Sequence, residues 1–384
     1  MRSRVTILNK FGAIHPSITG KSAGELANFL HDQGIDVRII SFKASYKGKC
    51  ADENQSLPFQ SVELKGLYNG YNKYLRLLVN LIDGFRLILA SLTGRRDDVK
   101  IVMTDPSLIN MWAVLLKPLY RSKLVFWTMD LYPDAFRSAG LVGQGNLLYL
   151  LLSSVVYRFP PDYLIALGTQ QYNYLSGRYK KKIPCTLLPC GIHVTESSSE
   201  LPWWKQKYQD KIILCYAGNL GEAHDARFLQ ELIDQLDPER YVMLLALYGA
   251  KAVNILQNNG TRNGVVSLDY ISPAQLAFVD VNVASLLSDW NHVCVPSKVV
   301  SAICSGSPVL YNASVASEGY CMFKDAVWLI PETNDYSIQI SEFYKKLNKE
   351  DIERKKKAAF RYTCLLCDMR KKAFEDIVNY CLSH

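Results

Sequence analysis

Ile212-Ile-Leu-Cys-Tyr-Ala-Gly-Asn-Leu-Gly-Glu-Ala-His-Asp225 is the stretch from which the fold can be read. Residues 212–217 form a short apolar run, Gly218 and Gly221 interrupt it, and residues 226–236 follow with apolar positions at helical spacing. A strand, a glycine turn and a helix in this order open a β-α-β unit. Further apolar runs at residues 241–248, 265–268, 281–286 and 308–311 are separated by helical or turn segments. Continuous runs of this kind suit parallel strands covered on both faces.

Working outward, the first half repeats the pattern. Residues 5–8 read as a buried strand, residues 22–33 as a helix with Ala23, Leu26, Ala27 and Leu30 on one face, and residues 37–42 as the next strand after Gly34. Apolar segments at 101–104, 108–119, 124–128 and 163–166 extend the series. Two successive doubly wound α/β domains are expected, 1–195 and 196–345, joined near residues 195–205. A helical segment, 346–384, is placed to pack back on the first domain. Its helix, residues 350–381, begins with Arg354, Lys355, Lys356 and Lys357 and ends with Ile377, Val378 and Cys381 on an apolar face.

The 384 residues exceed what a single core holds, and 49% hydrophobic with 21% charged content excludes wholesale disorder. Ten unevenly spaced cysteines, several in apolar runs, read as reduced and buried; Cys364 and Cys367 lack a second pair to complete a zinc site. Residues 5–8 are too short to be a signal peptide or a membrane span, which points to a cytoplasmic protein. The net charge of +8 is uneven, with 24 Lys and Arg against 13 Asp and Glu in residues 1–195, and 20 against 23 in the rest. Residues 68–92 and 147–159 are leucine-rich and flanked by Arg95, Arg96 and Arg158. Either they are ordinary helices covering a sheet, or they rest on an anionic membrane surface.

Thr19-Gly20-Lys21-Ser22 sits where a nucleotide triphosphatase carries its phosphate loop, but His15 occupies the position of that loop's first glycine. What remains is Gly20 at a predicted helix start, suited to an oxygen-rich ligand or to a simple cap.

Four pieces in order carry a family resemblance: residues 125–134 (Val-Phe-Trp-Thr-Met-Asp-Leu-Tyr-Pro-Asp), residues 188–193 (Leu-Pro-Cys-Gly-Ile-His), residues 216–225, and residues 295–309 with Pro296-Ser297-Lys298 and Gly306. Together they resemble the GT-B glycosyltransferases of retaining family 4, especially bacterial members that build surface polysaccharides. The resemblance implies two facing Rossmann-like domains with a central inter-domain cleft, an activated sugar on the second, an acceptor on the first, and no obligatory metal.

Mapped onto this chain, Gly218, Asn219 and Gly221 would let backbone N–H groups approach a donor diphosphate, with Arg227 in the first turn of the following helix. Pro296 and Ser297 would open a helix at residues 299–304, and Lys298 would balance charge on the departing nucleoside diphosphate. Many family members carry two glutamates seven residues apart; here the positions are Val293 and Ser301. Ser301 would offer at most a neutral hydrogen bond to the donor. Asp289, Asn291 and His292 are candidates for sugar hydroxyls. On the acceptor side, Asp130 would orient or deprotonate the acceptor hydroxyl, Trp127 and Tyr132 would form a wall, and His15, His193 and Asp134 are secondary candidates. The implied reaction moves a hexose, glucose first, from a UDP-sugar to a hydroxyl of a saccharide or lipid-linked saccharide. A sugar-nucleotide epimerase or phosphorylase is the alternative, and a non-enzymatic interaction protein is a further one. No nucleic acid partner is implied.

Overall fold

A computed structural model describes residues 3–43, 56–68, 73–93, 96–143, 145–194 and 200–384. Arg95, residues 69–72 and most of the polar joint, 196–199, lie outside them. The chain divides into two units, Met1–Cys190 with Arg370–His384, and Gly191–Met369.

The sheet of the first unit contains β1 (Arg4–Phe11), β2 (Asp36–Lys43), β3 (Gln60–Lys65), β4 (Val99–Val102), β5 (Lys123–Thr128), β6 (Tyr163–Ala166) and β7 (Cys185–Leu187). Its order is β3-β2-β1-β4-β5-β6-β7, with every neighbouring pair parallel. β4 and β6 are buried along their length and β1 over residues 5–9, which is why these strands read as mostly apolar runs. The Ile18–Asp32 helix crosses between β1 and β2 and buries Ala23, Leu26, Ala27 and Leu30. It begins four residues earlier than the sequence suggests, because Ser17 caps it and accepts the Gly20 amide at 3.1 Å. A buried ionic group ties β2 to β4: Asp97 accepts from Arg38 at 3.0 Å and Lys100 at 2.8 Å. Arg38 also donates to Thr6, Ser91 and Thr93, so its charge is hydrogen-bonded as well as paired.

The second unit's sheet contains β8 (Ile212–Asn219), β9 (Tyr241–Tyr248), β10 (Val265–Ser267), β11 (Val281–Ser285), β12 (Val309–Asn312) and β13 (Val327–Ile330). Its order is β10-β9-β8-β11-β12-β13, again all parallel. The Ala226–Asp234 helix places Phe228, Leu229, Leu232 and Ile233 in the core. The helix expected at residues 299–304 starts two residues earlier, at Ser297, with Pro296 as its cap residue. The Lys349–Leu382 helix supplies residues up to Met369 to the second unit and those from Arg370 onward to the first. There Arg370 pairs with Glu25, Phe374 meets Phe29 at 5.3 Å, Tyr380 meets Tyr163 at 4.5 Å, and Cys381 O accepts from Ser3 Oγ at 2.7 Å.

In each sheet the first strand lies inside, and the strand order reverses between β1 and β4 and between β8 and β11. The carboxyl ends of those strand pairs are the places where open α/β sheets form ligand crevices.

Among the described residues no helix is long and apolar enough to cross a membrane. The Leu147–Val156 helix nevertheless buries only Tyr149, Ser153 and Val156, leaving Leu147, Leu148, Leu150 and Leu151 exposed. The Lys73–Ala90 helix exposes Leu75, Leu77, Leu78, Ile82 and Leu89.

Candidate functional site

In the second unit the crevice between β8 and β11 is built by the loop that follows β8. Residues 221–225 fold back onto the end of β11: the Leu287 amide donates to Ala223 O at 2.9 Å, the Asp225 amide to Ser285 Oγ at 3.1 Å, and His224 Nδ1 lies 2.5 Å from Ser285 O. Gly218 has φ +112, a conformation that L side chains rarely adopt, and a Cβ there would come within 3.1 Å of Lys298 Cε. Lys298, in the first turn of the Ser297–Cys304 helix, reaches across to Asn219 O at 2.5 Å and His224 Nε2 at 2.7 Å, and stands 5.4 Å from the Tyr216 ring centre. Burial pulls its pKa down to about 7, against a smaller upward pull from Cys294. The structure therefore brings Gly218, Asn219 and Lys298 together.

Other predicted donor residues are committed elsewhere. The Ala226–Asp234 helix has its Arg227 and Phe228 amides taken by Asp225, which caps it. Arg227 points its guanidinium at the same carboxylate, 3.0 Å away, and Tyr336 donates to it as well. Burial would raise the pKa of Asp225, but these hydrogen bonds outweigh it and hold the carboxyl below its ordinary value. An anion at that helix start would face the Asp225 carboxylate. Gly221 lies against the Asn219 side chain, and Gly249, with φ +108, leaves room for Asn219 Oδ1. Ser301 donates to Gly191 O at 3.2 Å. Gly191 itself is pressed against Ser297, where a Cβ would lie 3.0 Å from Ser297 O. Pro296 leaves the Ser297–Cys304 helix without a side-chain cap. Asp289 is exposed, Asn291 donates to Ser314 Oγ at 2.9 Å, and His292 is half-buried.

In the first unit the β1–β4 crevice collects charge. Asp130 follows β5, with its amide donating to Thr104 Oγ1 at 3.0 Å, and Asp105 follows β4, with its carbonyl accepting from the Lys10 amide at 2.7 Å. Lys10, at the end of β1, extends its ammonium to Asn80 Oδ1 at 3.0 Å. Withdrawal of solvent by surrounding protein and the like charge of Asp105 push the pKa of Asp130 up to about 7. The residue is nonetheless exposed, so the carboxyl stands at an open position. Burial raises Asp105 too, with Lys10 and Arg76 opposing.

Three first-unit expectations change. Trp127, the penultimate residue of β5, is only 1% exposed, so it cannot stack on a sugar as it stands. Gly20 lies inside the first helical turn with its amide capped, and a Cβ there would come within 2.7 Å of Gly12 O; it serves close packing. Asp134 is fully buried and accepts from Tyr149, Tyr157 and Tyr174, which makes it a structural anchor. His15 is buried too, stacked on Phe11 at 4.4 Å and bonded to Ser17. Tyr132 packs on Phe136, while His193, which falls in the second unit, is half-buried beside Gly191.

Sequence reasoning passed over His224, Ser285, Lys10 and Asp105. Asp105 carried a signal, since it stands just past a strand as Asp130 does. His224 carried none, because its partner Lys298 lies 74 residues away. Among the described residues no group of three or more His, Cys, Asp or Glu side chains is arranged to hold a metal ion.

No protein-family profile and no curated protein matches the sequence. Solved structures do. A sucrose-phosphate synthase from Thermosynechococcus elongatus is similar over 100% of both chains, at 13% identity and a TM-score of 0.77. An α,α-trehalose-phosphate synthase (UDP-forming) from Burkholderia vietnamiensis is similar over 100% of both, at 11% identity and a TM-score of 0.70. WaaG, a glycosyltransferase involved in lipopolysaccharide biosynthesis, is similar over 98% of this chain and 99% of its own, at 15% identity and a TM-score of 0.68. At such identities the likeness shows the fold: two Rossmann-like α/β domains of the GT-B type.

Proposed function

We propose that the protein is a glycosyltransferase that moves a hexose, glucose being the first to try, from a UDP-sugar to a hydroxyl of a saccharide or lipid-linked saccharide. Retention of anomeric configuration and independence of metal complete the reading. The observation that carries it is the Lys298 ammonium fixed above the bare Cα of Gly218 at the β8–β11 crevice. A positive group there meets the charge that develops on a departing diphosphate, and Gly218 admits the phosphate close to the backbone. Asp130 supplies the second half, a carboxyl poised near neutrality to orient or accept the proton of the acceptor hydroxyl. The UDP-forming activity named for a structurally similar synthase supports uridine as the first base to test.

The exposed leucines of the Leu147–Val156 and Lys73–Ala90 helices, with Arg76, Arg121 and Arg158 also exposed, support peripheral contact with an anionic membrane at its cytoplasmic face. A lipid-linked acceptor would be met there.

The direct test incubates pure protein with UDP-, GDP- and dTDP-sugars and a membrane lipid extract. Sugar incorporation from a UDP-sugar upholds the reading. Donor conversion without an acceptor replaces it with an epimerase, sugar release to phosphate with a phosphorylase, and folded, donor-binding protein that incorporates nothing defeats transfer to those acceptors.

A further inference from the structure

We infer that His224 is the positioning residue for Lys298, clamping its amino group at the end of β8 so that one N–H stays aimed at the donor phosphate. The inference rests on the donor-site reading above for the identity of that phosphate; the clamp itself rests on geometry. Ser285 O, 2.5 Å from His224 Nδ1, can only accept, so Nδ1 carries the proton and Nε2 presents a lone pair. That lone pair meets Lys298 Nζ at 2.7 Å, and Asn219 O meets it at 2.5 Å. An ammonium has three donors, and two are thereby fixed. The third direction is set by the other two.

The rest of the neighbourhood enforces this arrangement. Burial, then the nearby charge of Lys298, and to a smaller degree that of Lys251, hold the His224 pKa down to about 3 against the Ser285 hydrogen bond, so the ring stays a neutral acceptor. Lys251 donates to the His224 carbonyl at 2.8 Å and to Glu222 O at 3.2 Å, holding the loop backbone. The Tyr216 ring and Cys294 are the other groups near Lys298. A lysine stem has wide rotamer freedom, and without His224 only Asn219 O would remain to hold its head against the pull of solvent.

Two substitutions separate the clamp from a purely structural role. His224→Asn reaches Ser285 but not Lys298; His224→Gln places an amide oxygen where Nε2 was and reaches Lys298. Lys298 ionisation is followed by NMR of carbon-labelled lysine in the unliganded protein, and UDP affinity by calorimetry. With His224→Asn, Lys298 should titrate at a higher pH, toward an ordinary lysine, and UDP should bind about tenfold more weakly. With His224→Gln, both should stay close to the parent. Asparagine behaving like the parent while glutamine fails, or Lys298 titrating alike in all three proteins, would overturn the clamp. If His224→Asn shifts the titration but neither it nor Lys298→Ala alters UDP affinity, the clamp is upheld and the donor-site reading fails.

Discussion

At the level of single side chains, the two proposed catalytic groups are both brought near neutrality by their surroundings, and they pull the pH profile in opposite directions. Lys298 carries its charge below about 7 and loses it above, so UDP affinity should fall between pH 6 and 8.5. Asp130 becomes a carboxylate above about 7, so turnover should rise through the same range. Their product is a kcat/KM profile with a maximum close to pH 7. Bound diphosphate favours the ammonium, which should shift the alkaline limb of kcat to higher pH. Asp130→Asn should preserve UDP affinity, depress turnover and abolish the acidic limb; a parent-like profile would remove Asp130 from the reaction. Lys298→Ala should cost ten- to a hundredfold in UDP affinity, the worth of about 1.5–3 kcal/mol for a hydrogen bond to a charged group, measurable by calorimetry. Lys298, Gly218 and Asp130 stand out in the sequence as candidates because each lies at a strand end or helix start in a quotable motif. What holds them is hidden there. The His224–Lys298 contact joins a loop to a distant helix, and Trp127 is core because β5 is an interior strand covered on both faces.

Helices and strands were legible where burial imposes a pattern. A central strand such as β9 is apolar along its whole length, and the face of the Ile18–Asp32 helix repeats at helical spacing. Three strands were missed: β3 is an edge strand with no buried position, β7 has three residues, and β13, although apolar, is a four-residue strand at the edge of its sheet. Helix starts shifted because the caps, Ser17 and Pro296, belong to the preceding loop as read from sequence. The short Asp134–Ser138 helix illustrates the harder case. Its first residue follows the acceptor-side motif and resembles a site carboxylate, yet three tyrosine hydroxyls from the Leu147–Val156 and Thr169–Tyr179 helices and from Tyr157 converge on it. Asp134→Ala leaves all three without their acceptor in a buried setting. Chemical denaturation followed by fluorescence should show a loss of about 3 kcal/mol. A variant of unchanged stability but lost turnover would return Asp134 to the site.

Over the whole molecule, positive charge is concentrated in residues 1–195, which also carry the leucine-rich helices left open to solvent. If that surface rests on lipid, pure protein should sediment with phosphatidylglycerol vesicles, and more weakly as salt rises. Replacing Leu147 and Leu151, one turn apart, by serine should weaken this at least about tenfold, since each buried leucine contributes roughly 1.5–3 kcal/mol. Turnover on a soluble acceptor should not change. Parent protein that ignores anionic vesicles at low salt would dismiss the membrane reading. The path of the Lys349–Leu382 helix bears on a different matter, the order in which the protein can be made. Residues 370–382, which close over Glu25, Phe29, Tyr163 and Ser3, leave the ribosome only after the whole of 191–369. The first unit to be synthesised is thus the last to be finished, and a nascent chain halted at residue 190 holds a sheet whose final cover has not yet been translated.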